Sequence, residues 1–302
     1  MDVDALLSIL AATLRTATPL ILCAMGGLFS ERSGVIDVGL EGKMLVGAFA
    51  GATVAALTGS APLGLLAAIA AAAALAAVHA LACVTYGGNQ VVSGVAVNMI
   101  ASGVTIVFGE AWFRQGGQTP PLPATARFMP LPGLSHNVLV YAALLCVPLV
   151  WWIVGRTRFG LRLRAVGEAP EAVEAAGIGV GGLRTAAVLA CGLLTGVAGA
   201  YLSLAQNAGF NREMSAGQGY IALAALIFGK WRPWPTLAAC LLFGALDAVA
   251  IRLQGVRIAG IGEVPVQLIQ VMPYLLTVVL LAGFIGRATP PRALGVPFLR
   301  GH

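Results

Sequence analysis

The chain has 302 residues, of which 59% are hydrophobic and only 10% are charged. That composition excludes a water-soluble globular domain and predicts a polytopic membrane protein built from helices. The net charge of +6 does not indicate a nucleic-acid partner, because the basic residues cluster between apolar runs and near the end of the chain.

Apolar runs long enough to cross a bilayer occur along the whole chain. In chain order they cover residues 5–29, 44–57, 62–86, 91–112, 138–154, 185–205, 236–251 and 266–285. A further run, 220–228, is too short for a full crossing and indicates a broken or re-entrant element. The sequence therefore predicts a single all-α membrane domain over residues 1–302, with about nine segments in a range of roughly eight to ten.

Three polar segments give the chain its predicted sidedness. Residues 156–164 contain four arginines, and the tail 287–302 is also basic. Short loops rich in Lys and Arg stay in the cytoplasm, so the loop 156–184 and the tail are predicted to be cytoplasmic. The Gly/Pro-rich loop 114–137 is then extracytoplasmic, as is the acidic N-terminus.

A short helix is predicted within the loop 156–184. Pro170 suits the first turn of a helix, Glu171 and Glu174 lie near its positive N-terminal end, and Gly177 is a suitable stop. A small cytoplasmic helix between two spans offers a surface on which a soluble motor protein can act. The candidate docking residues are Glu168, Pro170, Glu171, Ala172, Glu174, Ala175 and Gly177.

Two glycine-rich stretches resemble nucleotide-binding motifs, and both fail. Residues 177–182 match G-x-G-x-x-G, but no strand precedes them and a span follows. Residues 39–43 resemble the end of a phosphate loop, but Asp37 stands where the first glycine belongs and Met44 replaces the required Ser or Thr. No catalytic or metal-ligand spacing occurs either. We therefore expect no enzymatic activity, no metal site and no ATP or magnesium bound by this chain itself.

Polar side chains in or beside the spans mark candidate positions on a transport path, because a charge at the membrane centre costs about 2.5–3.5 kcal/mol. The candidates are Glu31, Asp37, Glu41, Gln90, Ser93, Asn98, Gln218 and Asp247. For His79, within the third span, we expect hydrogen bonding to a neighbouring helix.

The acids at 31, 37 and 41 share one break between two spans. This break is either an interfacial loop with internal salt bridges or a broken helix that faces a solute. The amides and hydroxyl at 90, 93 and 98 fit helix-to-helix hydrogen bonding as well as they fit solute contact. Residues 34–49 and 214–229 also echo each other as glycine-rich entries to short apolar helices, a pattern typical of transport sites.

Several blocks of the chain resemble the permease subunits of bacterial ABC importers, in the branch of branched-chain amino-acid and simple-sugar permeases. The blocks cover residues 26–45 (GGLFSERSGVIDVGLEGKML), 90–98 (QVVSGVAVN), 165–178, 217–229 and 272–277. Together they extend over nearly the whole chain. The Ser-Glu-Arg-Ser-Gly-Val block, residues 30–35, is most similar to permeases of nucleoside uptake systems.

The resemblance implies a fold like that of type II ABC importers and a multi-pass subunit of the bacterial inner membrane that forms the path for nucleosides. It implies separate cytoplasmic ATPase subunits that bind ATP and Mg, a second permease chain from a different gene, and an extracytoplasmic binding protein. The predicted docking helix becomes a coupling helix. The alternatives are a permease for simple sugars or branched-chain amino acids, and an ion-driven secondary transporter, which would need several deeply buried carboxylates.

Overall fold

Helices make up most of the computed structural model, which describes residues 3–253, 257–258, 262–263, 271, 275 and 289–298. They are α1 (Val3–Arg32), α2 (Leu40–Thr58), α3 (Ala61–Ala80), α4 (Gln90–Phe113), α5 (Val138–Arg156), α6 (Arg158–Glu168), α7 (Pro170–Ala175), α8 (Val180–Tyr201), α9 (Gln218–Phe228) and α10 (Pro233–Leu253). Turns of π-helix continue α3 over Leu81–Thr85 and α8 over Leu202–Gln206, and a 3-10 turn covers Ala124–Ala126. Two short strands, β1 (Arg257–Ile258) and β2 (Gly262–Glu263), pair antiparallel.

Seven helices in these described ranges are long and apolar enough to cross a bilayer: α1, α2, α3, α4, α5, α8 and α10. The prediction of an all-α, multi-pass membrane fold is confirmed, and the count of about nine segments is approximate. The predicted span 266–285 lies outside the described residues.

Helix α8 is the element around which the bundle packs, with α1, α2 and α3 against it. Gly192, Gly196 and Gly199 lie about one turn apart on α8 and let the neighbouring backbones approach. At Gly199 the approach is closest, because a Cβ atom there would lie 2.3 Å from the carbonyl oxygen of Met44 on α2. Small side chains on α8 therefore determine how closely the central helices pack.

Helix α9 belongs to a broken crossing, as the short apolar run predicts. The segment before it reaches the Gly/Pro-rich loop 114–137, where the Leu122 N–H donates to the Ala208 carbonyl at 2.9 Å. The turn after it reaches the opposite end of the bundle, where Arg32 Nε donates to the Trp231 carbonyl at 3.0 Å. The 11 residues of α9 span only about 16 Å, so an irregular segment makes up the rest of the crossing.

Helix α6 occupies residues for which the sequence indicated a polar loop. Thr157 caps it, since its side chain accepts from the Gly160 N–H at 3.1 Å. Leu163 and Val166 are buried one turn apart, while Arg158 and Arg162 stay exposed on the other face. The arginines that made this stretch look like a loop form the polar side of an amphipathic helix.

The packing at α8 is tested by Gly199→Ala, with Gly182→Ala in the first turn of the same helix as the control. No atom lies within 4 Å of a Cβ at Gly182, so the control should gain the stability that alanine gives a helix. The added methyl at 199 must displace the α2 backbone and should cost about 1–3 kcal/mol. Thermal unfolding of the purified proteins in detergent measures both. Equal melting temperatures for the two variants would contradict the close approach of α2 and α8.

Candidate functional site

The break segment, residues 33–39 between α1 and α2, is held by two side chains of α4. Gln90 Oε1 accepts from the Ile36 N–H at 2.6 Å. Asn98 Nδ2 donates to the Val38 carbonyl at 3.0 Å. Non-helical backbone among membrane spans leaves polar groups that water cannot reach, and these amides satisfy them. The break is therefore an ordered structure that depends on α4.

A buried ion pair lies under the break segment. Asp37 and Lys43 contact each other, and both side chains are completely buried. His79 adds a third group, with Nε2 at 4.0 Å from Asp37 Oδ1 and 3.1 Å from the Ile36 carbonyl. That carbonyl can only accept, so Nε2 carries the proton and Nδ1 accepts from the Ser93 hydroxyl at 2.9 Å. Asp37 is thus occupied by a cation of its own chain.

Glu41 joins the start of α2 to the start of α9. Its carboxylate accepts from the Gly217 N–H at 2.8 Å and from the Gly219 N–H at 2.6 Å. These N–H groups belong to the positive N-terminal end of α9, where a carboxylate is favourable. Asn98 Nδ2 also donates to the Tyr220 hydroxyl at 2.8 Å, so α2, α4 and α9 meet at one point.

The two segments that resemble each other in sequence meet at this point. The segments 34–49 and 214–229 are the starts of α2 and α9, and the Glu41 contact places them side by side. Two interrupted elements that meet in this way are the arrangement in which transporters hold their solutes.

Most of the predicted path residues lie at this meeting point: Asp37, Glu41, Gln90, Ser93, Asn98 and Gln218. The other two predicted path residues lie elsewhere in the structure. Glu31, at the end of α1, accepts a hydrogen bond from the Trp231 indole. Asp247 lies on α10, which packs against α1, α5 and α9. The role of all eight in solute passage stays a prediction.

At the meeting point the ion pair is buried, and the more accessible side chains are neutral. Asp37, Lys43 and Gln90 are buried, and each is paired inside the chain. Ser93, Asn98 and Gln218 are half-buried, and they are neutral. The accessible groups among these six residues are therefore uncharged donors and acceptors.

Two cations that the sequence did not single out hold the break segment in place. Lys43 pairs with Asp37 six residues earlier, and its signal is a lysine at the start of an apolar helix. Arg184 is buried on α8, where Nε donates to the Ser33 carbonyl at 3.1 Å and a terminal nitrogen donates to the Val296 carbonyl at 3.0 Å. Arg184 thus ties the break to α8 and to the C-terminal tail.

Helix α7 lies where the docking helix is predicted, with Glu168 ending α6 before it and Gly177 following it. Val173 is buried in a small cluster with Val166 and Val180. The remaining candidates divide into two groups. Glu174 Oε2 accepts from the Val180 N–H at 3.2 Å, whereas the exposed residues are Glu171, Ala172 and Ala175. Docking of a motor protein on this surface stays a prediction.

A bundle of membrane-spanning helices with a broken crossing and short amphipathic helices at its arginine-rich side defines a membrane transport subunit. Residues 9–281 match the family described as the permease component of branched-chain amino acid transport systems, and the chain belongs to that family. It is a multi-pass permease subunit of the bacterial inner membrane.

Three curated relatives align with the chain over nearly their full lengths. The guanosine ABC transporter permease protein NupQ of Bacillus subtilis is 40% identical over 100% of this chain and 99% of its own. The nucleoside ABC transporter permease protein NupC of Lactococcus lactis is 36% identical over 99% and 98%. The putative glucose ABC transporter permease protein TsgC13 of Haloferax volcanii is 38% identical over 96% and 94%.

A solved structure supports the fold alone. It is titled an inward-facing conformation of a putative metal-chelate type ABC transporter, and it is 16% identical with a TM-score of 0.51. The similarity covers 91% of this chain and 85% of the solved chain. The helical arrangement is therefore that of an ABC transporter permease, as the sequence predicts.

The buried pair is tested with Asp37→Asn, Lys43→Met and the double variant. Removing one partner leaves a buried charge without compensation and should destabilise the protein by about 3–5 kcal/mol. The double variant should recover part of that loss, because no isolated charge remains. Thermal unfolding in detergent measures all three variants, with Arg114→Gln at the exposed end of α4 as the control. Additive losses in the double variant would show that the two charges do not depend on each other.

Proposed function

We propose that this chain is one permease subunit of an ATP-driven importer of nucleosides. The observation that carries the proposal is the 40% identity to a guanosine permease over the whole of both chains. The nucleoside permease of Lactococcus lactis supports the same solute class. The solute passes at the junction of α2, α4 and α9.

The charge distribution at the junction favours a neutral solute. Asp37 and Lys43 neutralise each other, and Glu41 is bound by the start of α9. A zwitterionic amino acid would need free charges of both signs, because a buried charge is costly without a partner. Nucleosides and sugars carry hydroxyl groups, and nucleosides also carry amide-like groups. The accessible neutral side chains can bind these groups in place of water.

A sugar is therefore the second candidate solute. The specific observation that favours it is the 38% identity to a putative glucose permease. Branched-chain amino acids fit the charge distribution less well, although the family description names them.

The energy comes from separate ATPase subunits that bind ATP and Mg. They dock on α7 through its exposed face, and the negative charge of Glu171 on that face is suited to a basic groove. A second permease chain, from a different gene, completes the path, and an extracytoplasmic binding protein delivers the solute. The apolar exposed side of α4, which includes Val92, Val95 and Met99, is available to lipid or to that second chain.

Uptake of labelled solutes tests the proposed function directly. Cells without the gene should lose guanosine uptake and keep uptake of glucose and leucine, and the wild-type gene should restore it. The restored uptake should resist a protonophore and fail when the partner ATPase is inactivated. Gln218→Glu places a charge at the neutral junction and should reduce uptake, while Gln115→Glu in the exposed extracytoplasmic loop should not. If only glucose uptake were lost, the transported solute would be a sugar and not a nucleoside. Dependence of uptake on the proton gradient would exclude ATP-driven transport.

Two substitutions in α7 separate docking from force transmission. Glu171→Gln removes the exposed charge and should lower co-purification of the ATPase. Glu174→Ala removes the contact to the start of α8 and should leave co-purification intact, but lower the solute imported per ATP hydrolysed. Glu110→Gln, on the other side of the bundle, is the control. If neither variant changes ATPase binding or coupling, α7 is not the docking helix.

A further inference from the structure

A cavity of about 510 Å³ lies at the end of the bundle where the loop 114–137 is placed. Parts of α1, α10 and the end of α8 form its walls, and the loop residues 127–137 cover it. Its lining contains the cationic side chains Arg15, Arg127 and Arg252 together with His136. Among the described residues, no Asp or Glu lines this cavity.

Two nitrogens in this lining are buried without a hydrogen-bond partner. They are Nδ1 of His136, whose residue is only 7% exposed, and Nε of Arg127. Burial, and then repulsion by Arg15, hold the pKa of His136 below its usual value, so the ring is neutral and carries one N–H donor and one acceptor nitrogen. A buried donor without a partner is costly, and natural proteins rarely leave one unsatisfied.

Several neutral polar groups around the cavity are already engaged within the protein. The Tyr201 hydroxyl donates to the Arg15 carbonyl at 3.0 Å, and Thr16 Oγ1 donates to the Gly244 carbonyl at 2.7 Å. Arg252 is engaged as well, because its terminal nitrogen donates to the Ser8 hydroxyl. The charges of Arg15 and Arg127 and the unpartnered Nε of Arg127 remain, and together they select an anion.

Arg15 indicates the depth at which this anion binds. It lies eight residues inside the span that starts at Leu7, about 12 Å along the helix, and its side chain is exposed. An exposed guanidinium at this depth needs water or an anion, because it does not lose its proton. The remaining walls are partly apolar, with Ala12, Phe128, Ala248 and Ile251.

We propose that this cavity binds the headgroup phosphate of an anionic phospholipid from the outer leaflet. Guanidinium forks match the geometry of phosphate oxygens, and the apolar walls suit the glycerol and the first acyl carbons. A headgroup reaches this depth from the membrane side. A free phosphate ion shares the charge but would leave the apolar walls without contacts. The proposal does not depend on which solute is transported.

Native mass spectrometry of the full transporter complex, extracted from vesicles that contain phosphatidylglycerol and phosphatidylcholine, tests this site. Wild-type complex should retain phosphatidylglycerol in preference to phosphatidylcholine. Arg127→Gln, in the loop outside the spans, should reduce the retained phosphatidylglycerol about tenfold. Arg15→Lys keeps the charge without the fork and should reduce it less. Arg212→Gln removes an exposed extracytoplasmic arginine outside the cavity and should leave retention unchanged.

Three results would overturn the proposal. Equal retention in Arg127→Gln and wild type would show that the cavity holds no lipid phosphate. Full displacement of phosphatidylglycerol by inorganic phosphate would make the ligand a free anion. Loss of binding-protein affinity in Arg127→Gln, with lipid retention unchanged, would assign the arginines to protein docking. Uptake by wild-type protein is measured in parallel, so failure of the lipid site is distinguishable from failure of the transport proposal.

Discussion

The backbone N–H and C=O groups of the break segment need hydrogen-bond partners, and the rest of the structure depends on this constraint. Seven residues between α1 and α2, residues 33–39, interrupt the helical hydrogen bonding among membrane spans, where an unpaired polar group costs several kcal/mol. Gln90 and Asn98 of α4 bind the Ile36 N–H and the Val38 carbonyl, and Arg184 of α8 binds the Ser33 carbonyl. The position of α4 is consequently determined by hydrogen bonds and not by apolar packing alone. The same contacts bring α9 to the junction through Tyr220.

The break is also connected to α7 by a short chain of contacts. Glu174 of α7 holds the first turn of α8, and Arg184, one turn further, holds the Ser33 carbonyl. A displacement of α7 therefore reaches the break through one rigid helix. Such a connection between the proposed docking surface and the proposed solute path is what alternating access by rigid-body movement requires.

Hydropathy and loop charge were sufficient to predict the all-α membrane fold, because span length and arginine position are local properties of the sequence. They also predicted the short broken crossing at α9. They missed helix α6, since its exposed arginines hide the amphipathic period. At the junction, polar residues near spans were found by type, but their partners were not. Lys43 and Arg184 act through contacts with backbone and side chains that only the folded bundle brings together.

The Asp37–Lys43 pair has a consequence for how the chain enters the membrane. Both residues lie at the start of α2, in the break segment and in the first turn of the helix, only six positions apart. Their charges can cancel as soon as this turn forms, before α4 has been synthesised. Partition of α2 from the translocon into lipid then carries a neutral dipole and not two separate ions. The amides of α4 are synthesised later. They add hydrogen bonds to a segment in which the two charges already neutralise each other.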